Sequence, residues 1–270
     1  LYPLVDLLLK QEFGLDFEIV LIPQNDVDKS KLDDPQIKVF PYEKGLGLSH
    51  YRNEGVKHAS GNIIAFIDDD EIPKNNKWLS NLVNPILKNE AKVVTAGTDI
   101  PLKQGFLADS ISLLGYPGGA ALGFKALWKV DKNNFTHHLC SGNFAIKKSL
   151  FNELGGFPKE LKSGTEDVFL SKKLEEAKIP ILYEEDATID HLPRTSLLEF
   201  MKWHFRRGCA AAEYSRLQLF STNQFVHLFK ILLASIKKSA ATPYLAMILL
   251  LWPLQYLCQA WGMLYNRIKN

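Results

Sequence analysis

The 270-residue chain is poor in cysteine: Cys140, Cys209 and Cys258 are its only three, far apart and at no metal-ligand spacing. That excludes a disulfide framework and a thiolate zinc cluster, and points to a reducing compartment. Net charge is nearly absent too, +2 from 32 basic and 30 acidic residues, so charge makes no case for a nucleic-acid partner. No secretory leader opens the chain. Leu1-Tyr2-Pro3-Leu4 carries neither an initiator methionine nor a basic n-region, and the sequence reads as starting inside a domain. Internal repeats are missing, and no Gly-rich basic phosphate loop lies near the start. The most informative absence is at the far end, where Ser239 to Asn266 contain no charged residue at all.

Within that stretch, Tyr244 to Leu257 are as apolar as a membrane span, and the whole could cross a hydrocarbon core of about 30 Å. Lys237 and Lys238 flank one end, Arg267 and Lys269 the other, so positive charge sets no orientation. Pro253 could kink the helix. A re-entrant or in-plane arrangement stays open, as does a buried helix of a soluble protein. Residues 196–220 read as a basic, aromatic helix with Phe200, Trp203, Arg206, Arg207, Tyr214 and Arg216, better suited to a membrane surface than to nucleic acid.

Charge is concentrated instead at one point. Ile63-Ile64-Ala65-Phe66-Ile67 runs straight into Asp68-Asp69-Asp70. A continuous apolar run reads as a strand buried on both faces, and α/β sheets place ligands beyond the carboxyl ends of such strands. Adjacent carboxylates repel unless a cation or donors compensate them, and oxygen ligands suit Mg²⁺ or Mn²⁺ bridging a substrate's phosphates. The alternative is a solvated acidic turn. Around this strand the pattern alternates strand, helix and strand: strands at 17–22, 37–40, 91–96, 179–183 and 187–189, and helices at 1–13, 77–88 and 147–154. Ser49 is placed to cap the helix before the acidic strand, with Gly61 closing it. Thr165 is placed to cap a later helix with Glu166 and Asp167 in its first turn, where the helix dipole favours carboxylates. A general base at the mouth of the sheet is the functional alternative for that pair. Gly115, Pro117, Gly118, Gly119, Gly123 and Trp128 suggest a mobile loop near a site. The adjacent His137 and His138 read as polar surface.

Taken together, four motifs carry a resemblance. Gly47-Leu48-Ser49-x-x-Arg52-Asn53-x-Gly55 with Phe66-Ile67-Asp68-Asp69-Asp70, and then Ser141-Gly142-Asn143, Gly155-Gly156-Phe157 and Gly164-x-Glu166-Asp167 with the terminal His191, resemble a family-2 inverting glycosyltransferase of GT-A fold over roughly residues 15–195. The resemblance implies an α/β, Rossmann-like, mostly parallel sheet flanked by helices. It implies transfer of a sugar from a nucleotide-diphosphate donor to a glycan or lipid-linked acceptor, with inversion. On it, Asp70 holds the metal, while Asp68 faces the ribose and the metal's waters and Asp69 lies beside the donor. Asp167, with Glu166, is the general base, and His191 is a further metal ligand. Arg52 approaches the donor or packs its helix. The family's opening strand and its Pro-x-Tyr/Phe-Asn end are not in this chain, which would expose sheet edges. Its base-reading Asp-Asp/Asn-Gly-Ser is replaced by Pro23-Gln24-Asn25-Asp26, so Asn25 and Asp26 are the nucleotide-side candidates. The implied division is a catalytic domain at 1–195, basic aromatic helices at 196–238 and a membrane segment at 239–266, with the catalytic part on the cytoplasmic side. A metal-dependent nucleotidyltransferase and a degenerate, membrane-anchored binding protein are the competing functions.

Overall fold

The computed structural model describes residues 1–41, 44–115, 129–216 and 224–269. The loop expectation for Pro117, Gly118, Gly119, Gly123 and Trp128 lies outside those residues. In chain order the elements are α1 (Tyr2–Leu9), β1 (Ile19–Leu21), β2 (Ile37–Val39), α2 (Leu48–His58), β3 (Ile63–Ile67), β4 (Glu71–Pro73), α3 (Trp78–Leu87), β5 (Val93–Thr95), β6 (Thr98–Asp99) and α4 (Phe106–Leu113). They continue with β7 (Phe135–Thr136), β8 (Asn143–Lys147), α5 (Lys148–Glu153), α6 (Glu166–Glu176), β9 (Ile181–Tyr183), β10 (Ile189–His191), α7 (Leu197–Arg216), α8 (Gln224–Ser239) and α9 (Tyr244–Lys269).

Two compact units result. The first comprises Leu1–Gly97, Val130–Lys162 and Glu166–Ile189; the second comprises Thr98–Lys129, Ser163–Thr165 and Asp190–Asn270. Residues 98–115, placed by sequence in the catalytic stretch, therefore fall in the second unit.

In the first unit a five-stranded sheet has the order β3-β8-β5-β9-β7, and β1 and β2 form a separate parallel pair. The expected α/β class is borne out, but the expectation of a mostly parallel sheet is corrected: three of the four pairings in the five-stranded sheet are antiparallel. β8 runs antiparallel to both β3 and β5, while β5 and β9 are parallel. The double-sided apolar run of β3 has a direct cause. Ile63, Ala65 and Ile67 pack toward one core with Leu82, Ile86 and Val94, whereas Ile64 and Phe66 join another with Phe144, Phe151 and Phe157. Phe66 stacks on Phe144 at 4.5 Å between ring centroids, an aromatic pair across the β3–β8 register. Among the described residues β3 has β8 as its only strand neighbour, so its other side is an edge of that sheet.

Two N-caps differ from expectation, and the helix before β3 is closed by Ala59 and not by Gly61. α2 begins at Leu48 after Gly47, whose φ of +88° only glycine adopts readily. Ser49 is thus inside the helix, and its hydroxyl donates to Leu161 O at 2.7 Å. The Thr165 hydroxyl turns back to Gly164 O, and Asp167 Oδ1 accepts the Val168 N–H at 2.8 Å instead. The helix after β8 ends as read, with Gly155 and Gly156 both at positive φ.

In the second unit α4, α7 and α9 share a core of Ile111, Leu114, Phe200, Ile248 and Leu251. Among the described residues α9 alone is long and apolar enough to cross a membrane, with a mean hydropathy of 1.3 over its most apolar window.

Asn143, wholly buried, ties the first unit together. Its Oδ1 accepts the Trp78 indole N–H at 3.0 Å, and its Nδ2 donates to Gly97 O at 2.9 Å and Ala187 O at 3.0 Å. Asn143→Asp turns that donor into a carboxylate facing two carbonyls, an unpaired buried charge that should cost at least about 3 kcal/mol. Urea unfolding checks this, and a loss under about 1 kcal/mol would contradict the assigned hydrogen bonds.

Candidate active site

The apolar strand β3 ends in a tight turn built from its own acids. The Glu71 N–H donates to Asp68 O at 3.1 Å, and the Asp68 N–H donates to Glu71 Oε2 at 3.0 Å. Asp69 and Asp70 form the corner, Asp69 exposed and Asp70 half-buried. Glu71 is buried, and its carboxylate lies so close to Gly142 that a Cβ there would overlap it. Burial, with the neighbouring Asp68 charge adding to it, pushes the Glu71 carboxyl well above the usual carboxylate range. Sequence reading stopped at the three aspartates and missed this fourth acid, although it follows them directly.

Compensation comes from α2. The Arg52 guanidinium, 11% exposed, reaches Asp68 Oδ1 through Nη2 at 2.5 Å and Glu166 Oε1 through Nη1. Burial alone would lower the Arg52 pKa, but the charges of Asp68 and Glu166 hold it above its ordinary value. Burial pushes Glu166 upward while Arg52 opposes the shift. Next in sequence, Asn53 accepts the Phe157 N–H at 3.0 Å and donates to Phe157 O at 2.7 Å. The helix is thereby clamped to the Gly155-Gly156-Phe157 turn while its arginine faces the acids.

On α6 the two acids part company. Glu166, 3% exposed at its side chain, lies under Arg52. Asp167 is 23% exposed, and its Oδ2 lies 3.8 Å from His138 Nε2, within ion-pair range when the ring is protonated. His138 reaches it because the Leu139 N–H donates to Ser171 Oγ at 3.0 Å, and that hydroxyl donates to Asp167 O at 2.6 Å. The expectation of two surface histidines therefore holds for exposed His137 and fails for His138. No spacing rule could have found that contact, since residues far apart in sequence make it.

Other predicted residues lie elsewhere. Asn25 and Asp26 are exposed in the loop after β1. His191 ends β10 in the second unit, buried, with Nδ1 donating to Leu192 O at 2.7 Å in the tautomer this contact favours. Among the described residues no three His, Cys, Asp or Glu side chains are gathered as a preformed metal cage. The acid turn still fits a hard divalent cation. Its donors are carboxylate oxygens, and a Mg²⁺ or Mn²⁺ ion that also binds phosphates takes only one or two of them from protein.

A family model described as "Glycosyl transferase family 2" matches residues 1–155, more than half of the chain. The chain belongs to that family. Two proteins of Haloferax volcanii are similar to this family-2 chain. A glucosyl-dolichyl phosphate glucuronosyltransferase is 26% identical over 119 residues, 43% of this chain and 36% of that protein. The glycosyltransferase AglE is 26% identical over 172 residues, 64% of this chain and 53% of that one. The chain thus spans between about a third and a half of the length of these relatives. In fold it is similar to the mannosyltransferase PcManGT from Pyrobaculum calidifontis, solved with GDP-Man and Mn²⁺, with a TM-score of 0.59 at 16% identity over 99% of this chain and 82% of that one. The family-2 chain therefore has the GT-A fold expected of it.

Removing the cation at the centre of this cluster should be costly. Arg52→Ala leaves Glu166 buried without a partner, and breaking a buried pair in this way costs about 3–5 kcal/mol. Adding Glu166→Gln should restore at least half of the loss. A double-mutant cycle by urea unfolding checks both values, and additive losses would show that the two side chains do not interact.

Proposed function

We propose that the chain is the catalytic part of a metal-dependent, inverting glycosyltransferase. It would take a nucleotide-diphosphate sugar as donor and a glycan or lipid-linked hydroxyl as acceptor. The observation that carries this reading is Arg52, which brings the end of β3 and the start of α6 together through Asp68 and Glu166. Two acidic motifs far apart in sequence thus meet in one cluster, one suited to a cation and the other to a proton.

Asp70 is assigned to the divalent cation, with Asp68 toward the ribose and the ion's waters and Asp69 beside the donor. Once bound, Mg²⁺ or Mn²⁺ supplies charge stabilisation for the departing diphosphate. The Mn²⁺ and GDP-Man bound by PcManGT support both the metal and the donor class. Asn25 and Asp26 are kept for the nucleotide side and His191 for the metal side. Asp167 is assigned as the base. It takes the acceptor proton as the acceptor oxygen bonds to the anomeric carbon and the bond from that carbon to the diphosphate oxygen breaks. One in-line displacement inverts that carbon. Glu166, being buried, is given a positioning part: it fixes Arg52 and, through it, Asp68.

A lipid-linked acceptor is supported by the relative named for a glucosyl-dolichyl phosphate substrate. Together with the apolar α9, this favours a membrane-associated enzyme. Nucleotide sugars are made in the cytosol and do not cross bilayers unaided, so the catalytic part is placed on the cytoplasmic face.

The two acids should give different signatures. Asp70→Asn, which cannot balance a divalent ion beside a diphosphate, should abolish transfer and weaken Mn²⁺-dependent donor binding. Donor affinity like that of the wild type in Mn²⁺ titrations would sink the metal assignment.

Asp167→Asn should keep donor binding and lose kcat by about 10²–10⁴-fold, the usual loss on removing a general base. If kcat per folded molecule stayed within a factor of two, Asp167 would be a helix cap and nothing more.

A further inference from the structure

α9 has its polarity reversed. The face it buries carries Ile248, Leu251, Gln255, Cys258, Gly262 and Asn266. The opposite face is apolar along its length, with Leu250 and Leu257 each 68% exposed, Leu264 58% and Ile268 77%. Water does not select a helix that hides its amides and shows its leucines.

The buried face is occupied by α7, which runs beside α9 in the same direction. Phe200 shares a core with Ile248 and Leu251, His204 Nδ1 lies 3.0 Å from Gln259 Nε2, and Arg216 Nη2 donates to Asn266 O at 2.8 Å. Midway the backbones touch: a Cβ on Gly208 would overlap the Gln259 carbonyl, and one on Gly262 would overlap that of Phe205. The two helices therefore run side by side over most of their length, and a crossing α9 would take α7 across with it. α7 carries exposed Lys202, Arg206, Arg207 and Arg216. A crossing α9 would drag these cations through the hydrocarbon, which membrane helices avoid.

We infer that α9 does not span the bilayer but lies in the plane of an anionic membrane surface, with α7 on its water-facing side. The Leu250–Leu257–Leu264 face sits in the acyl boundary, and Trp261 and Tyr265 are at headgroup level. The cations of α7, with Arg267 and Lys269 at the end of α9, meet anionic headgroups. Charge complementarity favours lipid over a second copy as the occupant, because two copies meeting through this face would also bring their cations together. The inference rests on the membrane reading above and is independent of the transfer chemistry.

The test uses the full chain with vesicles of phosphatidylethanolamine and phosphatidylglycerol, and with phosphatidylcholine alone. The chain should float with the anionic vesicles, at least tenfold more than with the neutral ones. Leu250→Glu/Leu257→Glu/Leu264→Glu, changed only at exposed positions, should reduce flotation at least tenfold while circular dichroism is retained. No flotation of the parent chain would overturn the membrane reading itself. So would a parent dimer that this variant converts to a monomer. Depth then separates lying from crossing. A bimane probe on Leu250→Cys, Leu257→Cys or Leu264→Cys, in a chain lacking the three native cysteines, should be quenched equally and preferentially by lipids brominated near the headgroup. Deep quenching at position 257 with shallow quenching at 250 and 264 would overturn the in-plane placement and leave membrane association standing.

Discussion

A single guanidinium sets the terms for the acidic end of the sheet. Four carboxylates in a row close β3, and two more open α6, so repulsion among them would drive the segments apart. Arg52 reverses the sign of that interaction at Asp68 and Glu166, and it does so from a position shielded from solvent. A lysine would not serve as well, because one ammonium cannot present a fork to two carboxylates on different elements. The cost of burying such a charge is high, and it is met only because both acids are in place. Site geometry and local stability are here the same interaction.

The neighbouring residue on α2 makes the arrangement rigid. Asn53 closes a two-way hydrogen bond with Phe157, whose ring packs edge-on to Phe151 at 5.1 Å in the core beside Phe66. The helix that aims the arginine is thus referenced to the aromatic core that also carries β3. A shift of the core moves the acids and their counter-charge together.

What was legible in the sequence was local. Ile63–Ile67 running into Asp68 announces both a strand and a site, because the same few residues define each. Glu166 and Asp167 stand out for the same reason. The Arg52 pairs were not legible, since their partners lie 16 and 114 residues away and no periodicity links them. His138 was misread because its environment is created by Ser171, a residue that only the fold brings near. Ser49 was misread for another reason: Gly47 had already begun the helix, leaving the hydroxyl to bond Leu161. Local chemistry thus placed the acids, and tertiary contacts decided which of them are covered and which remain open.

The edge of β3 has a consequence for handling the chain. Among the described residues, a strand of five apolar residues with β8 on one side offers, on the other, a row of amides and carbonyls ready to template a further strand. Bulges, prolines and lysines usually blunt such an edge, and none interrupts Ile63–Ile67. In dilute solution, self-association of this chain would therefore start by backbone pairing along β3, and a short extended peptide of alternating apolar residues would compete with it.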